Sequence, residues 1–520
     1  MITTVSNKLR GVCVAAFAAA SVLVAPPALM PGQGAAQAQE LQGGTLRVGV
    51  SNDINSFDPM AFSVVNFFAI KNLYDSLIEY TAEGEAIPNL ATGWEISDDN
   101  TSVTLTLRDD VTFHSGNPFN AAAMAATLEK ASDPEDGKNI FPTTGIIENW
   151  EVVDDTTLTI NFNAPVPTKQ ITDLLQFMPA IDPEGMADVV TVPAGTGPFM
   201  LENRTVGQSL TFVANPNYWR EGQPILDGME FTVFSDDAAA SAALESGGID
   251  LVYNGTSRSA VRLRDQGFQV LQGPGKLVQV FRINSTVPPF DNADFRQAFN
   301  YLMNRPAILQ IGYAGLGEPT ALPWAPASPA FDPSVTEAYA YNPERAREIL
   351  DGSGLSEAEQ EDWTLLVNGS DEPSVLISQI VQASLAEIGM DIELDIREGA
   401  EFIDALLSGD FAAVFGGVGN VQKFPSRVAT NSIYRTVNNP VFGDPHPHPA
   451  YVEAIERVNT AFGEDVQPAY DNLNEVLVNE AFAIPTNSYE IGLITAAPNV
   501  GGFTLEIDNL LIGRTIGFTE

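Results

Sequence analysis

Hydrophobic and polar residues alternate with two different periods along this chain, and the change of period divides it. Between residues 97 and 163 the period is two. Val103, Leu105 and Leu107, then Val111 and Phe113, alternate with polar neighbours on either side of Asp109–Asp110, which predicts a hairpin over 102–114. A second hairpin is predicted over 150–162 around Asp154–Asp155. Gly116-Asn117-Pro118 reads as a turn, and Asn120 as the N-cap of a helix that follows it. Elsewhere the pattern is strand, helix, strand. Residues 230–235 read as a strand, 236–246 as an Asp-started helix stopped by Gly247–Gly248, and 249–253 as the next strand. Residues 363–368 read as a strand and 374–388 as a helix with Leu376, Ile380, Leu385 and Ile388 toward one side. Gly389 ends that helix before a strand at 390–396. Each such unit implies a locally parallel sheet covered by helices, so the expected fold is α/β with two lobes and a β-rich insertion in the first.

The N-terminal pattern differs from both. Lys8 and Arg10 precede an apolar run at 11–25, and a Pro/Gly/Gln-rich stretch leads to Ala36-Gln37-Ala38, an A-x-A site for signal peptidase. About 15 apolar residues fall short of the roughly 20 needed to span a bilayer. An exported, periplasmic chain cleaved after Ala38 is expected, with no membrane insertion. Cys13, the only cysteine, lies in this run outside a lipoprotein context, so neither disulfides nor thiol chemistry are expected after cleavage. The remaining 482 residues (520 − 38) exceed what one core usually supports. Removing two basic residues takes the formal charge to 23 − 67 = −44. Such a surface repels nucleic acid and anionic lipid, and reads as a solvated acidic shell.

Catalytic chemistry finds little support. There is no G-x-S-x-G elbow, no H-E-x-x-H and no phosphate-cradling glycine loop. The many acids leave a carboxylate-pair hydrolase as a remote alternative, but no pair is marked. Of the three histidines, His114 reads as a structural, hydrogen-bonded residue. His446 and His448, in Asp444-Pro-His-Pro-His-Pro449, suit a transition metal by type. At i and i+2 of an extended segment they should point apart, so an exposed rigid loop without metal is expected.

Residues 98–124 resemble the "LR-x-x-V-x-F-H-x-G-x-P-F-x-A" signature of the family 5 extracellular solute-binding proteins, through Arg108, Val111, Phe113, His114, Gly116, Pro118, Phe119 and Ala121. These are the peptide-, nickel- and oligosaccharide-capturing subunits of bacterial ABC importers. Six further blocks follow the family's order: 43–59, 195–199 (GTGPF), 215–231 (NPNYWREGQPILDGMEF), 243–251, 283–305 and 341–354. Asn342 and Pro343 there start a helix. The resemblance covers nearly all of 43–490.

It implies a bilobed periplasmic binding protein without catalysis or cofactor, expected to be monomeric, which captures a solute by hinge closure and hands it to ABC permease transmembrane subunits. The expected layout is a signal peptide at 1–38, lobe I at 39–77, its inserted subdomain at 78–194, lobe I again at 195–279, lobe II at 280–484, and a return to lobe I at 485–520. Crossing segments are expected near Val280–Ile283 and Phe482–Thr486.

The resemblance also places the cleft. Phe57, Asp58, Ser63 and Asn66 are expected on the loop after the first strand. Gly416, Gly417, Gly419, Asn420, Lys423 and Arg427 are expected after a strand at 411–415, with the glycines leaving backbone groups open to a ligand. Asp371 and Glu372 are expected after the strand at 363–368. Dipeptide-binding relatives carry an acid near 420 for the ligand's ammonium and an arginine near 371 for its carboxylate. Here both charges are missing or reversed. A dipeptide held that way would meet like charges, so the resemblance keeps a peptide or peptide-like solute first while these residues lean toward a longer peptide held by its backbone, an oligosaccharide, an opine-like glycoside or a metal chelate, neutral or partly anionic.

Overall fold

The computed structural model describes residues 41–520, apart from 62, 64–65, 274, 276, 420–424, 490–492 and 505–510. Strands are numbered along the chain. The first part holds β1 (Thr45–Val50), a ribbon of β2 (Ile78–Tyr80) and β3 (Ala86–Pro88), then β4 (Ala91–Ile96), β5 (Ser102–Leu107), β6 (Ile147–Asp154) and β7 (Thr157–Phe162). β8 (Phe199–Thr205), β9 (Ser209–Ala214), β10 (Gly228–Val233), β11 (Leu251–Tyr253) and β12 (Gln269–Leu271) follow. Then come β13 (Leu277–Ile283), β14 (Glu318–Pro319), β15 (Thr364–Asn368), β16 (Glu393–Arg397), β17 (Ala413–Gly419) and β18 (Ala483–Tyr489). The chain ends through β19 (Ile494–Ala496), β20 (Val500–Gly501) and β21 (Gly517–Phe518).

Three sheets carry the architecture. One has the order β12-β19-β11-β1-β10-β9-β8, the second β14-β18-β13-β17-β15-β16, and the third β4-β5-β7-β6. β1 lies parallel to both β10 and β11, and β15 parallel to both β16 and β17. The two strand–helix–strand units therefore build parallel sheet as their pattern implies. Asp236 caps the helix Asp237–Glu245 by accepting from the Ala239 amide, and Asp371 caps Glu372–Glu387 through the Ser374 amide. The fold is α/β and bilobed, with the β-rich extension on the first lobe. Leu46 and Val48 of β1 share one apolar core with Val103, Leu105, Leu158 and Ile160 of the extension.

Four expectations change. The hairpin over 102–114 does not form: β5 pairs with β4 and β7, and Thr112 makes only an isolated bridge to Pro118. Asp110 accepts two hydrogen bonds from Arg108, and 111–119 closes on itself through Phe119 N to Val111 O and Phe113 N to Asn117 O. Those bonds turn the chain out of the sheet. The hairpin over 150–162 does form, as β6 and β7. On the helix Glu372–Glu387 the buried stripe is Ile377, Val381 and Leu385, with small Ser374, Ser378 and Ser384 beside it. That stripe lies one position from the expected Leu376 and Ile380. The strand expected at 411–415 runs over 413–419. Finally, Val280–Ile283 lies inside β13 and Phe482–Thr486 at the start of β18, both within the second sheet. The chain leaves the first sheet after Leu271 and enters the second at Leu277, then leaves the second after Tyr489 and re-enters the first at Ile494, outside the expected crossings.

Candidate functional site

Register locates the cleft. In the first sheet the chain leaves from Leu271 and re-enters at Ile494, which pair with each other, and Ile494 also pairs with Tyr253, the carboxyl end of β11. In the second sheet Leu277, the first residue of β13, pairs with Tyr489, the last of β18, and with Gly419, the last of β17. Both crossings therefore lie at the carboxyl ends of parallel strands, where open α/β sheets place their ligands. The segments following β11 and β15 meet there, through Asn254–Arg258 and Asp371–Pro373.

A cavity of about 300 Å³ spans that junction, with Thr256 and Arg258 from the first lobe and Tyr313, Asp371, Glu372 and Tyr489 from the second. Its volume is at the small end for drug-sized ligands. The Tyr313 and Tyr489 rings lie 4.9 Å apart on its wall. Arg258 Nη1 meets Glu372 Oε1 at 3.2 Å, an ion pair between the lobes with both side chains mostly in solvent. Asp371 lines the same space, although its Oδ2 accepts from the Ser374 amide (3.0 Å) and hydroxyl (2.6 Å) as a helix cap.

The expected set on the first lobe is largely buried. Asp58 is 0 % exposed, meets Lys138 Nζ at 2.7 Å and Lys130 Nζ at 3.5 Å, and accepts from the Met60 amide. Phe57 packs in the core, and its carbonyl accepts from the Tyr74 hydroxyl. Asn66 accepts from the Asn55 amide. These three hold the loop's shape, so they do not present side chains to a ligand. Ser63 differs, because its Oγ is buried without a hydrogen-bond partner.

On the second lobe the glycines belong to a strand. Gly416, Gly417 and Gly419 lie opposite Val280, Gln279 and Leu277. The Gly417 carbonyl accepts from Arg282 Nη2 at 2.9 Å and so is already engaged. Asn420 and Lys423 lie outside the described residues. Arg427, on the 3-10 turn Pro425–Thr430, reaches the first lobe: Nη1 donates to Thr143 Oγ1 at 3.2 Å, and its guanidinium sits 5.8 Å from the Phe177 ring centre. Sequence reading missed Arg258, Tyr313, Tyr489 and Arg282. Only Arg282 left a signal, as a cation continuing the Val278–Val280 row of an alternating strand.

The histidine segment is a correction. His446 and His448 are 7 % and 4 % exposed, and their ring centres lie 5.7 Å apart rather than on opposite sides. The chain bends at Asp444–Pro445 and again at Pro447, so the two-residue alternation of an extended strand does not apply. Phe442 and Phe482 pack edge-on or stacked against both rings. His448 Nε2 bonds Ser285 Oγ at 2.7 Å and its Nδ1 bonds Glu480 Oε2 at 2.6 Å. The order is that of a nucleophilic triad, but Ser285 is itself buried. The relay ties the start of the helix Pro449–Thr460 to the end of β13 and of the helix Val466–Glu480. Burial lowers the affinity of both rings for protons, taking His446 down to about 4. His114 bonds the Gly197 carbonyl at 3.0 Å through Nε2, in keeping with a structural role.

A sequence model described as bacterial extracellular solute-binding proteins, family 5 Middle, matches residues 85–439, more than half of the chain. The glutathione-binding protein GsiB of Salmonella typhi is 28% identical over 361 residues, spanning 68% of this chain and 70% of that protein. Among solved structures, NikA from Brucella suis in complex with Fe(III)-EDTA superposes with a TM-score of 0.80 at 24% identity, covering 91% of this chain and 100% of that one. AgaA from A. tumefaciens in complex with agropinic acid gives 0.74 at 21%, covering 92% and 99%.

Proposed function

The chain belongs to the family 5 bacterial extracellular solute-binding proteins, the substrate-binding partners of ABC permeases, and from that premise we propose that it captures a small polar solute, neutral or partly anionic, between its lobes and closes on it. Peptides and peptide-like compounds come first by the habits of its relatives; an opine-like compound, an oligosaccharide or a metal chelate is the alternative. The observation that carries the proposal is the convergence of parallel-strand carboxyl ends from two sheets on one cavity lined by both lobes. Contacts to both walls favour a closed state, because ligand binding shifts the population toward whichever form it touches more. The cavity rim carries Arg258, which an anionic group of the solute would draw from its exposed pair with Glu372, while Asp371 is committed to a helix cap.

The test is a thermal-shift screen of glutathione, di- and tripeptides, agropinic acid, oligosaccharides and Fe(III)-EDTA. A solute at 100 times its dissociation constant adds about 2.7 kcal/mol of apparent stability. Scattering with the best hit should show a smaller radius of gyration. Equal radii at saturation would argue against closure. No turnover of a glycoside panel is expected. Export with cleavage after Ala38 and a monomeric periplasmic protein complete the proposal; intact mass and sedimentation of the secreted chain check them. Among the described residues no helix is long and apolar enough to cross a membrane.

A further inference from the structure

Strand β13 presents Val278, Val280 and Arg282 on one face, because side chains alternate along a strand. Val278 and Val280 join an apolar cluster with Leu322, Trp324, Tyr434 and Phe482. Arg282 continues the row with a guanidinium. Its Nη2 donates to the Gly417 carbonyl, but its Nε is buried and has no hydrogen-bond partner. No carboxylate among the described residues pairs with it, in a chain holding 67 acids against 25 lysines and arginines.

Arg305 in the same lobe shows the ordinary solution to a buried guanidinium. Its donors meet the carbonyls of Thr320, Pro485 and Tyr339 and the side chain of Asn300. Arg282 lacks that saturation. Beside it, Tyr434 is 1 % exposed and its hydroxyl is also without a partner. Tyr434 packs in the same cluster as Val278 and Val280, the row that Arg282 continues, and burial holds the phenol in its neutral, hydrogen-donating form. Buried polar groups without partners are rare in folded proteins, and two at one wall of the same cluster call for an acceptor.

The backbone makes room for one. A Cβ on Gly416 would lie 3.2 Å from Arg282 Nε and 3.4 Å from its Nη2, so a side chain there would crowd the guanidinium. β15 pairs with β17 only at Leu365–Ala413 and Leu366–Val414. Beyond those pairs the strands part, and Gly416 stands at the split, on the side where the carboxyl ends face the cleft.

We infer that Arg282 and Tyr434 together hold an anionic oxygen of the captured solute, a carboxylate, at the split between β17 and β15. This rests on the reading of the cleft as the solute site. A carboxylate accepts from the free Nε–H and from the phenol, and supplies the counter-charge that the guanidinium lacks. Gly416 is then needed for the placement of a side chain rather than for backbone approach. The subsite prefers acids over their amides, since an amide brings the acceptor without the charge.

Formate is the smallest probe of this chemistry. Thermal melts of the secreted full chain, titrated with sodium formate against sodium chloride at equal ionic strength, should show a formate-specific rise in midpoint. Arg282→Gln and Tyr434→Phe should each weaken it at least about tenfold in concentration, and formamide should give none. Tyr434→Phe removes only the hydroxyl, so it keeps the test sharp if Arg282→Gln folds poorly. A wild-type chain indifferent to formate overturns the assignment. So does a response unchanged in Tyr434→Phe, which would mark an adventitious ion only. A Tyr434→Phe chain more stable than wild type in chloride and equally responsive to formate would show an unpaired hydroxyl and nothing more. None of these outcomes touches the solute screen above, which uses the wild-type cleft and stands or falls separately.

Discussion

Two buried clusters, one in each lobe, treat charge differently. Under the first sheet, Asp75 is 4 % exposed and accepts from Tyr218 Oη (3.0 Å), Trp219 Nε1 (3.1 Å) and Thr196 Oγ1 (3.1 Å). Glu79 beside it meets Arg220 and Arg514 at 3.2 and 2.9 Å. Gly195 and Gly197 press against the Leu73 backbone, where a Cβ would come within 2.1 and 2.4 Å. Here the carboxylates are met by donors or cations, although Arg220 Nε is buried without a partner. In the second lobe, Arg282 faces no carboxylate and the Tyr434 hydroxyl has no partner among the described residues. A saturated cluster has one stable arrangement and specifies a fold. Unsaturated groups cost stability unless something else meets them, and so they are expected where a protein receives a ligand.

That contrast is easiest to break on the saturated side. Asp58→Ala removes the acid that Lys130 and Lys138 share at a fully buried position. Losing one member of a buried ion cluster strands the others, at a cost of about 3–5 kcal/mol. Urea unfolding should show that loss, with solute affinity at temperatures where the variant is folded changing far less. A small stability change would mean the lysines relax to solvent and that the first lobe is not the rigid partner.

The histidine relay gives the next largest effect and fixes its sign. The folded state holds His446 at about 4, below its ordinary value of 6.5, chiefly through burial and secondarily through His448. Its Nδ1 already accepts from the His448 amide at 3.2 Å, so a proton there would face another donor. The unfolded chain takes up its proton near pH 6.5 and the folded chain does not. The contribution is therefore fully present above pH 6.5 and is lost as pH falls toward 4. Allowing for solvent screening at the loop, the loss is about 1–3 kcal/mol. Melting curves between pH 7 and 4 should show it, and His446→Phe should flatten the slope. An unchanged slope in that variant would assign the acid sensitivity to other groups.

On the unsaturated side the expected signature is the reverse, with binding changed more than stability. Gly417→Trp places its Cβ 3.4 Å from Leu277, an ordinary contact, and projects an indole beside Gln279 near the cleft end of β17. Affinity for a hit from the solute screen should fall at least about 100-fold, equivalent to roughly 2.7 kcal/mol, while the melting temperature of the empty protein stays nearly unchanged. Binding that survives would take this end of β17 out of the cleft.

The contrast also explains what the sequence revealed. The saturated cluster is legible because its residues are contiguous blocks: GTGPF brings the glycines, NPNYWR brings Tyr218, Trp219 and Arg220, and each has a fixed partner that demands that residue type. The hairpin over 102–114 failed for the same reason. Val111 and Phe113 alternate as a strand would, but Phe113 and His114 are drawn to Asn117 and Gly195 by bonds that no period shows. Asp58 and Asn66 read as cleft residues because they are polar in a loop. Their burial depends on Lys138 and Asn55, 80 and 11 residues away along the chain. Arg258 and Glu372, 114 positions apart, are brought together only by the two crossings.

That pair carries the smallest prediction and the most direct reading of the junction. Arg258 and Glu372 are 61% and 68% exposed at the side chain, so their attraction is weakened by water and is worth at most about 1 kcal/mol. Its position matters more than its size. The pair joins the first turns of helices in opposite lobes at the rim of the shared cavity, so it favours the form in which they meet, whereas an ion pair within one lobe adds equally to both forms. Glu372→Gln should leave the melting temperature nearly unchanged and weaken solute affinity by up to about fivefold. The difference between variant and wild type should shrink as salt rises toward 1 M, where the screening length drops to about 3 Å. A salt-independent difference would mean that Glu372 touches the solute itself, and would move the acidic pair from the rim of the site to its interior.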